Sequence, residues 1–145
     1  MKFLLLLLSL VFVDNGCSDS KKAQEDIISI EYSAISKGQY KMIIINNKTI
    51  SVASKVRTEP TIKTCSETEW KKLSKAFQTV EVETISKLKA PSQNRLFDGA
   101  AIAKLKITYN GKVYKSQSFD HGNPPKEIKA LVDEILLVSE NVEKQ

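Results

Sequence analysis

Histidine, arginine and cysteine are scarce in this chain. Its 145 residues hold one histidine, His121, two arginines, Arg57 and Arg95, and two cysteines, Cys17 and Cys65. A single histidine argues against a multi-histidine metal site, and no C-x-x-C pair offers an alternative, so no metal centre is expected. A G-x-S-x-G motif is missing too, which weighs against a serine hydrolase triad. Without a glycine-rich phosphate loop, no cofactor is expected either. The shortage of arginine disfavours a nucleic-acid reader, since bidentate contacts to bases and phosphates rely on guanidinium forks. The net charge of +5 comes from lysines spread among acidic residues, with no basic cluster interleaved with aromatics. They read as a solvated surface with mild attraction for anionic lipid or polysaccharide.

One long apolar run is present, Phe3 to Val13, preceded by Lys2. As a helix it would reach about 16 Å, roughly half a bilayer core, so a cleaved export signal is expected and not a membrane span. The following Asp14-Asn15-Gly16-Cys17 resembles a bacterial lipobox. Gly16 fits that pattern; Asp14 stands where an aliphatic residue is usual. The preferred division is a signal peptide over 1–16, a lipidated Cys17 opening a flexible tether over 17–26, and a single domain over 27–145. Cleavage at Ser18 to Ser20 and an uncleaved signal are the alternatives. If Cys17 carries lipid, Cys65 is a lone thiol; if not, the two could pair.

Downstream, Ile28, Ile30 and Tyr32 alternate with polar residues, as an opening strand does. Tyr40 to Val56 reads as an antiparallel hairpin about Asn47-Lys48, with Ile45 facing Ile50 and Ile43 facing Val52. Met42 and Ile44 on the other side suggest a strand covered on both faces. Ser66-Glu67-Thr68-Glu69 is a capping box that opens a helix with a Trp70, Leu73, Phe77, Val80 stripe. Glu81 to Leu88 is expected to be a short helical turn or an irregular strand, followed by a loop to Gly99. Asn110-Gly111 is a strong turn signal between Ala101–Tyr109 and Lys112–Phe119. That register leaves Lys104, Lys106, Lys115 and Gln117 facing water. Asn123-Pro124-Pro125 introduces a closing helix that buries Ile128, Leu131, Val132, Ile135 and Val138. The fold class expected is α+β: an antiparallel sheet of about five strands, two main helices on one face, and two hairpin–helix units.

Chemistry-bearing residues are few. Asp120 could orient His121 as an acid–base pair, but the preferred reading is that Asp120 and Asn123 cap the turn and helix and leave His121 an exposed loop residue. Phe97 and Arg95, in the loop Asn94–Gly99, are candidate partner-binding residues because apolar loop residues need a core pocket or a partner. His121 and Asp120 complete that candidate set, and no catalytic residue is assigned.

The leader, the Lys/Ile/Asn bias, Gly38-Gln39-Tyr40 and Gly122-Asn123-Pro124-Pro125 together resemble small exported lipoproteins of unknown function from Bacteroidetes, especially flavobacteria. The resemblance covers most of residues 27 to 140 and implies no activity. The expected function is a non-enzymatic, membrane-tethered envelope lipoprotein that binds a protein partner. The address would be the cell envelope, facing the periplasm or the outer membrane. The competing readings are a small secreted enzyme or thiol-dependent protein using Cys65 and His121, a soluble inhibitor-like domain, and a structural spacer.

Overall fold

The computed structural model describes residues 28–144. The signal peptide, Cys17 and the tether expected from the sequence lie outside the described residues. The first strand, β1 (Ser29–Ile35), buries Ile30, Tyr32 and Ala34 and turns the residues between them to the other face. This two-residue period is what a strand with one covered face requires. Next come β2 (Tyr40–Asn46), β3 (Thr49–Ala53) and a short β4 (Thr61–Thr64), then helix α1 (Glu67–Phe77). After 3₁₀ segments at Val82–Lys87 and Asn94–Phe97, the chain forms β5 (Ile102–Tyr109), β6 (Lys112–Lys115), β7 (Phe119–Asp120) and helix α2 (Lys126–Glu143).

All pairings are antiparallel, in the order β4-β3-β2-β1-β5-β6, with β7 also on the free side of β5. Strand β1 is central. Its residues Ser29 to Ile35 pair with Asn46 to Tyr40 on one side and with Thr108 to Ile102 on the other. The two hairpins therefore flank β1, and each leads into a helix. Each of their turns has an asparagine at positive φ, Asn47 at 53° and Asn110 at 50°, but only the second follows it with another positive-φ residue, Gly111 at 72°. Their faces do not match when aligned by turn. Opposite Ile30 stand Ile45, two residues before Asn47, and Ile107, three before Asn110. One residue of offset exchanges the faces, so a turn-by-turn alignment of the two segments is not a repeat of packing.

The outer edge is interrupted. Lys106 pairs with Lys115 and Ala103 with Phe119, so three steps along β5 match four along the edge. The extra residue is a bulge, and the Ser116 hydroxyl repairs the ladder there by accepting from the Leu105 amide at 3.0 Å. Among the described residues seven strands are thus present where about five are expected. The additions are β4, too short to show alternation, and β7, split from β6 by the bulge.

The core lies on one face only. Ile43, Ile45, Ile50, Val52, Leu105 and Ile107 meet the buried stripe of α2, which includes Ile128, Leu131, Val132, Ile135 and Val138 as expected. Helix α1 packs beside α2. It is opened by the expected capping box: Ser66 Oγ accepts from the Glu69 amide at 3.2 Å, and Glu69 Oε2 accepts from the Ser66 amide at 2.8 Å. The opposite face is open, so the expectation of cover over Met42 and Ile44 is corrected: Ile44 is 38 % exposed.

Candidate functional site

Asp120 ends β7 on the open side of the sheet, yet it is only 2 % exposed, because residues 92–95 fold over it. Its Oδ2 accepts from Ser92 Oγ at 2.6 Å and from the Asn94 amide at 2.7 Å; its Oδ1 accepts from the Arg95 amide and from Arg95 Nη1, both at 3.0 Å. Arg95 also donates from Nη1 to the Ser92 carbonyl and from Nε to Ser118 Oγ. Burial alone would raise the Asp120 pKa. The hydrogen bonds from Ser92, Arg95 and Asn94 outweigh it and hold the carboxyl well below the usual range. The result is a stiff clamp on a segment with no regular sheet or α-helix to order it.

What the clamp holds out is Leu96 and Phe97, 62 % and 82 % exposed. Asp98 follows at φ 57°, and its carboxylate lies 3.9 Å from Lys37 in the turn between β1 and β2. This knuckle therefore sits at the pole of the sheet where β1 ends. The chain enters at the other pole, where the Asn47 amide donates to the Ile28 carbonyl. Six residue steps of β1 separate the poles by about 20 Å.

A second polar cluster lies inside. The Tyr32 side chain is fully buried, and its hydroxyl meets His121 Nδ1 at 2.7 Å. Burial pushes the Tyr32 pKa up. Burial and then the Lys41 charge push that of His121 down, so the neutral imidazole is favoured. Lys41 is itself paired with Glu143 at 3.0 Å, and Ser54 donates to the same carboxylate, which ties the end of α2 to the sheet.

The candidate residues thus separate. Asp120 does not orient His121: its carboxylate serves the 92–95 loop, and the imidazole is bound by Tyr32. Helix α2 has Pro125 as its N-cap and no side-chain cap, so Asp120 and Asn123 do not cap it; the preceding turn is closed by the Asn123 amide donating to the Asp120 carbonyl. Nor is His121 an exposed loop residue; it is half-buried. Arg95 is turned inward, its side chain 11 % exposed, and Phe97 alone of the four projects fully into water. Cys65 is a buried free thiol after β4, its pKa raised by burial and by Glu69. Five strand spacings lie between β4 and β7, roughly 24 Å, so Cys65 and His121 are not brought together. Sequence reasoning missed Ser92, Ser118 and Tyr32, whose partners are distant along the chain and leave no local signal.

Among the described residues, no group of three or more His, Cys, Asp or Glu could hold a metal, and no helix is long and apolar enough to cross a membrane. Cys17 lies outside the described residues. Comparison with protein-family models, with curated proteins and with solved structures finds no match for this chain.

Proposed function

We propose that this protein is a non-enzymatic binding module of the cell envelope, tethered through acylated Cys17, that grips a protein partner by the Leu96–Phe97 knuckle. The observation that carries the reading is the Asp120 clamp. A buried ionised carboxylate commits four hydrogen bonds to a short loop, and what that loop exposes is a phenylalanine. A large apolar side chain carried on a clamped backbone is pre-organised for a pocket, since the ordering cost of its loop is met before association. The arrangement of the poles supports the same reading. A tether leaving at Ile28 keeps one end of the sheet toward its anchor, and the knuckle stands at the other end. The resemblance of the leader to those of exported Bacteroidetes lipoproteins agrees with this address.

The test places a photo-reactive phenylalanine analogue at position 97 and, as control, at Lys71 on α1, in the intact envelope. A single reproducible protein adduct is expected from position 97, absent from the control and lost when Asp120→Ala loosens the loop. Identical adducts from both positions would overturn the partner site. An unmodified N-terminus beginning after Cys17, seen by mass spectrometry, would overturn the tether.

A further inference from the structure

The open face carries a second feature, distinct from the knuckle. A hollow of about 460 Å³ lies over β1, β5 and the bulged edge, and its rim carries Lys104, Lys106 and Lys115. A neighbouring hollow of about 450 Å³ is bordered by Lys87 and Lys89 and shares Gln117 and Ser118 with the first. The two hollows adjoin at the bulged sheet edge and make up one basic groove region. Its charge is concentrated. Lys106 is matched by Glu31 at 2.6 Å, whereas Lys87, Lys89, Lys104 and Lys115 have no acidic partner among the described residues.

Two details suggest that this charge is for a ligand. Lys106 and Lys115 are directly opposed across β5 and β6, an arrangement that like charges make unfavourable in the free protein. Lys104 and Lys106 stand on the same face about 7 Å apart, so the cations form a row and not a single point. The chemistry of the walls then narrows the class of ligand. No aromatic ring lines either hollow, which removes the stacking platform that single-stranded nucleic acids use. The bulge breaks the ladder where an acidic peptide would add as a strand. Glu31, which can only accept hydrogen bonds, faces the groove beside Ser33 and Gln117. Bare polyphosphate has no donors to offer the oxygen that Lys106 leaves free on that carboxylate, but a hydroxyl-rich polymer does.

We propose that this groove binds a linear acidic polysaccharide, its carboxylates on the lysine row and its hydroxyls on Glu31, Ser33 and Gln117. The test uses polygalacturonate as probe and the full-length chain in detergent micelles, at low salt. Binding is expected, weakening as salt screens the row. Lys104→Gln with Lys115→Gln should weaken it by at least about tenfold, equivalent to about 1.4 kcal/mol. Lys71→Gln with Lys75→Gln, an equal loss of charge on α1, should leave it unchanged, as should Phe97→Ser. Equal loss from both lysine pairs would overturn the proposal, as would no binding at all. So would polyglutamate, a DNA oligomer or phosphatidylglycerol vesicles binding as tightly through the same lysines. The Phe97 variant separates this site from the partner knuckle, whose failure leaves the groove untouched.

Discussion

Tyr32 shows how one buried hydroxyl constrains its surroundings. Fully enclosed, it has His121 as its partner, so removing the imidazole strands a polar group in the core. His121→Ala is expected to cost about 1–3 kcal/mol in urea unfolding, and Tyr32→Phe added to it should recover much of that loss. Titration gives a second check, because this is the only histidine in the chain. Burial and Lys41 hold its folded pKa below the ordinary value of about 6.5, so the unfolded chain takes up the proton first as pH falls. Its contribution is complete above that value and is lost as pH falls toward the folded pKa. Tyr32 is bonded to the imidazole, the Lys41 charge acts on it, and Lys41 is in turn paired with Glu143. Unfolding at pH 7 and pH 5 should show a decline in the wild type that His121→Gln reduces, since the amide can still accept from Tyr32. Asp120 acts in the acid range. Its depressed pKa gives stability that is present above the ordinary carboxylate range of about 4 and is lost progressively as pH falls from there toward the folded pKa. Asp120→Ala should lower the melting temperature and open residues 92–98 to proteolysis at neutral pH.

Elements were most legible where their chemistry is local. The Ser66 capping box is contained in four residues and forms as read, so Ser66→Ala should cost about 1 kcal/mol by thermal melting. The Asn110-Gly111 turn needs only positive φ at two adjacent positions, and the pairing of Ile107 with Tyr114 follows from it. Two glycines make the point testable. A Cβ on Gly111 meets nothing within 4 Å, so Gly111→Ala should lose about 1–2 kcal/mol to its φ of 72° alone. Gly38 is equally open and its φ is not in the left-handed region, so Gly38→Ala should gain about 0.4–1 kcal/mol by restricting the unfolded chain. What stayed hidden depends on distant partners. β4 spans four residues, its Ile62 faces solvent, and its strand character comes from β3. The bulge depends on the register of Phe119 against Ala103, and the Asp120 clamp on groups 25 to 28 residues away. No window of a few residues contains both halves of either.

At the scale of the molecule, one core on one face of a sheet divides the side chains sharply. Ile135→Ala, beneath α2, should cost about 2–5 kcal/mol, while Ile62→Ala, 65 % exposed on the open face, should stay within about 0.5 kcal/mol. The α+β class and the placement of the helices were readable because alternation and helical stripes name the buried side. The order of strands was not, since β1 is first in sequence and central in space. That position has a mechanical meaning. Ile28 leads directly into β1, whose residues are bonded to β2 on one side and β5 on the other over the same seven positions. A pull on that end runs parallel to the strand and loads both ladders in shear, sharing the force among many bonds at once. A strand at the sheet edge, pulled sideways, would instead unzip bond by bond. Drawn by its N-terminus in a force spectrometer, this domain should hold as a clasp does.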